Sequence, residues 1–590
     1  MPPSTTDWTR TLVDLGHGAL DAIGRSTGAG EPGVMALSND ACDARAAGNQ
    51  FGEPHWFQFG PVHCALNFNL ANVTLVETGG GFVAIDCGPS VETAATVRQQ
   101  FVQRTGVDDL HCIIYTHSHP DHIRGACALQ RPGTPIWAHA GFADELALQN
   151  KLPLAYMRRA AKQFGAALPF ETLPHNGIGP RLDLGAEAAS PILYPTETFL
   201  DTATLDHGDL RIELHAAPGE THDHLFVWIP ELRVLHAGDN FYRAFPNLYS
   251  IRGVAPRPVE GWIASLDAMR RLSPAPECLL LGHTEPIVGA DRIQQLLTDY
   301  RDAIAFVHDS VVRGINAHKT PEQLVQEIEL PPRLADHPYL VEQYGTVRGA
   351  VRGIYDGYLG WFDGCAAHLN PPPRRVVAER LLPRFGGAAG MRSALEQALA
   401  DDDLQWAEWL GDHLLALNGK DKQASELMAQ VEDRLAEQEP NPLMRSWRFS
   451  DAAELRGELH PPKKPKVTAA TIAHVPTDTL IAVFPSRVDP DRAARVDLAI
   501  AFVFTDANRS YTFTIRRGVG EVAPVLLPDC DLIIRTTEAD FKRALITGEV
   551  TPLSGEFWRS LKFEVDGRPL LKPLHVLRRL ARFASCMIKM

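Results

Sequence analysis

Apolar positions along this chain change their spacing twice, and the changes divide it into three parts. Up to residue 290 they fall in short runs set between stretches of helical composition. VTLVE at 73–77 is a β-branched run, the glycines at 79–81 make a turn, and FVAID at 82–86 is a second run ending at Cys87-Gly88. Residues 90–103 have helical composition, and LHCIIY at 110–115 reads as a buried strand. Further strands are predicted at 210–214, 225–229, 234–235 and 279–281. Short strands with helices and long insertions between them predict a layered α/β sandwich.

Past Gly289 the period becomes helical. Ile293, Leu296, Leu297, Tyr300, Ile304, Val307 and Val311 form one apolar stripe. Thr320-Pro321-Glu322-Gln323 is a capping box with proline at the first helical position. Helical texture continues through 397–417 and 424–435, so 291–458 reads as all-helical. PPKKPK at 461–466 makes 459–466 a stiff, charged linker. Beyond it the period is two. Val496, Leu498, Ile500, Phe502 and Phe504 alternate, 505–510 turns, and Tyr511, Phe513 and Ile515 resume the alternation. That predicts a hairpin with one buried face. With amphipathic helices predicted at 539–545 and 574–583, residues 467–590 read as a small α+β domain.

Composition mainly excludes. Hydrophobic content of 45% and charged content of 22% are ordinary for a globular protein. A net charge of −15 argues against a nucleic-acid partner. There is no apolar run long enough to span a membrane. The start, MPPSTTDWTRTLVDLGHGAL, has no basic segment leading into an apolar block, so no signal peptide is expected. Nine cysteines are scattered singly with no CxxC pair, which points to reduced thiols and a cytoplasmic setting.

The chemistry concentrates at 113–125, IIYTHSHPDHIRG. His117, His119, Asp121 and His122 follow directly on a strand candidate. Three imidazoles and a carboxylate on one short loop are costly to desolvate without a partner, and both groups are good zinc ligands. The motif T-H-x-H-x-D-H resembles that of the metallo-β-lactamase superfamily, a hydrolase fold usually built around two zinc ions. The resemblance implies further ligands at later strand ends. APGET at 217–221 is similar to the superfamily's Pro-Gly-His-Thr turn, with Glu220 in place of the histidine. LHAGD at 235–239 is similar to the strand ending in the bridging acid, and LLGH at 280–283 to the one ending in the last histidine. His117, His119 and Glu220 would then hold one zinc, and Asp121, His122 and His283 the other, with Asp239 bridging. Asp86 ends a strand in the style of the superfamily's structural aspartate, expected to orient a ligand histidine.

Two features resemble one branch, the zinc alkylsulfatases. Glutamate as a ligand is that branch's habit. The segment from Asp239, DNFYRAFPNLYSIRG, resembles its sulfate loop, which maps to Asn247, Leu248, Tyr249, Ser250, Ile251 and Arg252, with Arg257 as a second arginine. Residues 341–363, VEQYGTVRGAVRGIYDGYLGWFD, resemble the branch's helical dimerisation region and put Tyr344 and Arg352 forward as weaker substrate contacts. The end of the chain resembles its sterol-carrier-protein-like domain. The resemblance implies an αββα catalytic domain at 1–290, an all-α dimerisation domain at 291–458 and an α+β domain at 467–590. It implies two Zn2+ per subunit, a homodimer, and an alkyl sulfate ester as substrate, attacked by zinc-activated water. It departs where many members carry histidines after a bridging glutamate: here the acid is Asp239, and Arg243 and Pro246 follow. His222 and His224 beside Glu220 read first as hydrogen-bonded loop residues, His224 being the better general-acid candidate. An aryl or steroid sulfatase, a phosphodiesterase, a lactonase, or a lipid carrier with an inactive metal domain remain alternatives, since fold does not specify substrate.

Overall fold

The structure is a computed structural model describing residues 51–185, 191–459 and 472–547, together with 562–565, 568–569, 582–583 and 586–587. Strands β1 (His55–Phe59), β2 (Val62–Leu66), β3 (Val73–Thr78), β4 (Gly81–Ile85), β5 (Leu110–Ile114), β6 (Ile136–His139) and β7 (Glu197–Phe199) lie in that order in one sheet. Pairing is antiparallel as far as β4 and parallel from β4 to β7. A second sheet runs β13-β12-β11-β10-β9-β8. Its strands are β8 (Thr202–His207), β9 (Leu210–Ala216), β10 (Leu225–Ile229), β11 (Val234–His236), β12 (Cys278–Leu280) and β13 (Ile287–Val288), with only β11 and β12 parallel.

The sheets face each other across one core that includes Val62, Val76, Ile85, Ile114, Leu214, Val227 and Leu280. Alternate residues of the first sheet, such as Leu75, Phe82 and Ile113, pack outward against Val97 and Phe101 of the helix Val91–Thr105. Those of the second, Phe226, Trp228 and Leu279, pack against the helices Val259–Arg270 and Ala290–Asn316. Strands covered on both faces read as continuous apolar runs, which is why LFVWI and LHCII stood out in the sequence. The result is the four-layered α/β/β/α sandwich.

The seven stripe residues on Ala290–Asn316 are all buried. They face the second sheet, so the core does not break at residue 290; it runs on to Val347–Leu359. The capping box at Thr320 is formed. A separate helical core gathers Met391, Leu395, Leu410 and Val431 from the helices Ala388–Ala400, Leu404–Leu417 and Lys422–Gln438.

The third sheet has the order β16-β15-β14-β17-β18-β19. It comprises β14 (Leu498–Phe504), β15 (Arg509–Arg516), β16 (Val519–Ala523), β17 (Leu532–Thr536), β18 (Lys562–Val565) and β19 (Arg568–Pro569). The expected hairpin is β14–β15, with Ile500 opposite Phe513. Its buried face meets Phe541 and Leu545 of the helix Glu538–Thr547. The linker at 459–466 falls outside the described residues apart from Leu459, as does the helix expected at 574–583 apart from Arg582 and Phe583.

Candidate metal centre and oxyanion cleft

The loops that follow β4, β5, β9, β11 and β12 meet at one rim of the sandwich. The Leu225 amide donates to the Thr116 carbonyl across the two sheets, and the Gly282 amide to Gly238. Asp86 leaves β4 in the left-handed region, φ 59°, and its carboxylate accepts from the Thr116 amide, the Thr116 hydroxyl and His122 Nδ1 at 2.8, 2.8 and 2.7 Å.

These outer contacts fix tautomers. The Thr116 hydroxyl donates to Asp86, so at 3.0 Å it accepts from His117 Nδ1. His122 Nδ1 donates to Asp86, and His283 Nδ1 donates to the Leu70 carbonyl at 2.8 Å. Each ring then turns an Nε2 lone pair inward, as metal-ligating histidines do. His117 Nε2 lies 2.8 Å from His119 Nδ1, and His122 Nε2 lies 3.3 Å from His283 Nε2. Asp239 sits between the pairs, Oδ1 at 3.4 Å from His122 and Oδ2 at 3.1 and 3.7 Å from His283 and His117. Asp121 Oδ2 completes the set at 3.5 Å from His283 Nε2.

Two groups therefore present ligand atoms within 4.8 Å of one another: His117, His119 and Asp239, and Asp121, His122 and His283. Asp239 Oδ1 is buried without a hydrogen-bond partner. Burial opposes a charge on His122, yet Asp239, Asp86 and Asp121 push its imidazole well above its usual range, a measure of the negative potential here. Lone pairs and carboxylates converging on a buried point, with an acceptor left over, suit divalent cations.

Glu220 stands at the edge. Its amide is fixed by Asn240 Oδ1 at 3.0 Å, Oε1 lies 3.9 Å from His119 Nδ1, and Oε2 accepts from Arg257. Burial raises its carboxyl and Arg257 pulls it back down. Of the residues expected at the sulfate group, Arg252 donates to Ser250 Oγ at 2.8 Å, and its Nη2 lies 3.0 Å from His119 Nε2. Arg257 is buried with Nε and Nη2 unpartnered, and the Asn247 amide nitrogen is likewise buried and unpartnered. Tyr249 is half-buried, its Cβ facing Gly353. Arg252, Arg257, His119, Glu220 and Thr221 line one cleft with Glu145, Leu148, Tyr156, His222, Val254 and Ala255.

Three of the expected contacts need correction. Leu248 turns into the apolar core at 3% exposure, because an aliphatic side chain has nothing to offer an oxyanion. Tyr344 precedes the helix Val347–Leu359 rather than riding on it. Its ring packs on Tyr242, and burial, with Glu220 and Asp121 behind it, pushes its phenol upward, so it stays a donor. Arg352 is exposed on that helix, near Asp356 one turn on, and does not line the cleft. Ser250 and Ile251 serve the loop itself: the Ser250 hydroxyl donates to Gln163 and the Ile251 carbonyl accepts from Arg159. His224 is fully buried and its Nε2 accepts from the Asp239 amide at 3.0 Å. His222 is held by Glu145 at 2.9 Å. Asn240, Gln163 and Arg159 went unread because no motif marks them; only proximity reveals them.

Sandwich, rim and paired clusters define the class, a metallo-beta-lactamase superfamily protein, and the superfamily's family model matches residues 66–283. Models described as alkyl sulfatase dimerisation and alkyl sulfatase C-terminal match 320–458 and 465–579. The chain is 32% identical over 517 residues to a linear primary-alkylsulfatase of Pseudomonas sp., covering 84% of this chain and 96% of that one. It therefore belongs to the alkylsulfatase family. An alkyl/aryl-sulfatase of Saccharomyces cerevisiae is 26% identical, over 86% of this chain and 80% of the relative. The solved structure of a stereoselective inverting sec-alkylsulfatase from Pseudomonas sp. shares the fold, with a TM-score of 0.82 and 23% identity over 93% of this chain and 87% of that one.

Proposed function

We propose that the chain hydrolyses alkyl sulfate esters to an alcohol and inorganic sulfate at a dinuclear zinc site. The observation that carries this reading is the ligand cluster opening on a cleft where half-buried Arg252 and buried Arg257 face the same space. His117, His119 and Glu220 Oε1 would hold one zinc, Asp121, His122 and His283 the other, with Asp239 between them. Bound there, the metal pair would lower the pKa of a water to about 7 and make hydroxide available at neutral pH.

The chain's own residues bind and orient. Arg257 carries two buried nitrogens without partners, Nε and Nη2, and the Asn247 amide nitrogen is likewise free. Together with Arg252 they can grip sulfate oxygens, each charge-assisted hydrogen bond contributing about 1.5–3 kcal/mol. Leu148, Tyr156, Val254 and Ala255 give the cleft an apolar wall on which an alkyl tail can lie. Burial pushes His224 down to about 3 and its Nε2 is engaged by the Asp239 amide, which supports a role in holding the bridging acid rather than general acid catalysis.

A homodimer through 320–458 is supported by an exposed apolar patch at Tyr358, Leu359, Trp361 and Leu369. A cytoplasmic location is supported by the unpaired state of all eight cysteines among the described residues. The test is turnover of dodecyl sulfate by zinc-replete protein in ¹⁸O-labelled water, where sulfate release is expected and the labelled product identifies the bond broken. Zinc-loaded protein inert towards dodecyl, hexyl and p-nitrophenyl sulfates would overturn the reading.

A further inference from the structure

Residues 246–258 carry Arg252 and Arg257 but have no regular secondary structure of their own. Something outside the loop must give Arg252 its direction. We propose that Arg159 and Gln163, on the helix Pro153–Gln163, are positioning residues that fix Arg252 for the sulfate group; this rests on the reading of Arg252 as a sulfate contact.

Gln163 is fully buried, and its Oε1 accepts from the Arg252 amide at 2.8 Å and from the Ser250 hydroxyl at 3.0 Å. Ser250 Oγ accepts in turn from Arg252 Nη1 at 2.8 Å. Arg159 Nε donates to the Arg252 carbonyl at 2.7 Å, and its Nη2 to the Ile251 carbonyl at 2.6 Å. Both backbone polar groups of Arg252 and, through Ser250, its guanidinium are thus tied to one helix. Positions 159 and 163 are four apart and share a face. Gly253 closes the turn beneath them with φ 95°, its amide donating to the Ser250 carbonyl at 2.9 Å.

The helix is itself held by the helix Pro442–Arg456. Ser446 Oγ donates to the Lys162 carbonyl at 2.6 Å, and Lys162 pairs with Asp451 and with Glu454, the latter at 2.8 Å. The cations of Arg159 and Lys162 lie over the Trp447 ring, 5.2 and 5.8 Å from its centroid. A segment matched by the dimerisation model therefore braces the sulfate loop through one intervening helix. Arginine has many rotamers. Ordering it before substrate arrives removes that entropy loss from the binding step.

The test is a double-mutant cycle, read as kcat/KM for dodecyl sulfate and as inhibition by inorganic sulfate. Arg159→Met and Gln163→Met should each lower kcat/KM roughly 10- to 100-fold, the range for a displaced binding group, and weaken sulfate inhibition in parallel. In an Arg252→Met background each should cost no more than about two-fold. Arg159→Lys, which keeps the charge but not the fork, should recover part of the loss. Arg159 is exposed, so its cycle decides the matter alone if Gln163→Met fails to fold. Losses from Arg159→Met that are equal in both backgrounds would overturn the inference and leave Arg252's role intact. If Arg252→Met by itself changed neither readout, the sulfate reading of Arg252 would fall, and this inference with it.

Discussion

At residue scale the charge of the site turns on Glu220. With Asp121 and Asp239 it would leave two divalent ions with a single net positive charge, and its Oε2 also holds Arg257. A sulfate monoester carries one negative charge and a phosphate monoester nearly two. Histidine at 220 would remove a carboxylate and release Arg257 at the same time. Glu220→His is therefore expected to raise the phosphatase-to-sulfatase ratio about ten-fold, the worth of one charge-assisted contact. The kcat/KM ratio for p-nitrophenyl phosphate and p-nitrophenyl sulfate reads this directly, and an unchanged ratio counts against it. The Pro-Gly-x-Thr turn marks Glu220 in four letters, while the structure leaves it outside both ligand groups, Oε1 3.9 Å from His119 Nδ1. The partner of Glu220 was not legible, because nothing local says that a guanidinium 37 positions away closes on it.

At element scale, period and capping carried the reading where an element is long. The stripe describes one face of Ala290–Asn316 and the box at Thr320 the start of the next helix, Pro321–Glu327, and a local pattern suffices for each. The strands β1, β2, β6, β7 and β8 were not read from the sequence, although they run from three to six residues, while the three-residue β11 and β12 were, because their apolar letters lead into the site motifs. Helices also hide charged groups. Burial pushes Glu432, on Lys422–Gln438, up to about 7, while Arg448 at 2.8 Å draws it down. The unfolded carboxyl releases its proton near 4.5, so the native state binds more protons between 4.5 and about 7, and stability falls as pH rises across that window. Glu432→Gln stays neutral and should lose this slope, worth at most about 3 kcal/mol. Thermal melts of both proteins at pH 5 and pH 8 measure it: the wild type should lose stability relative to the variant at the higher pH, and parallel shifts would refute the assignment.

At the scale of the whole molecule, the parts divide unequally. Residues 217–355 share one core, so the second sheet and the helices that follow it form a single unit. The third sheet has a core of its own. Removing residues 467–590 is accordingly expected to leave the metal site folded and to raise KM for dodecyl sulfate several-fold more than for hexyl sulfate. Equal effects on both esters would point to a purely structural role. Trp361, 73% exposed, like the exposed Tyr358 and Leu369 of the same segment, marks the opposite kind of surface. Trp361→Arg should shift the protein from dimer to monomer in sedimentation at micromolar concentration, because a charge there would have to be desolvated on pairing. A dimer that persists would place the interface elsewhere.

The sequence by itself pointed to candidate metal ligands, to the longer helices and several of the strands, and to the order of the three parts. Those properties rest on residue chemistry and on periods of two and 3.6, which are visible in a few consecutive letters. Only the tertiary structure decided that His122 and His283, 161 positions apart, face one point. It also decided that Asp86 and Leu70 set the histidine tautomers, that Leu248 belongs to the core, and that a neighbouring helix aims Arg252. Convergence of strand ends at a common rim is a property of sheet order and direction, and no run of letters encodes it.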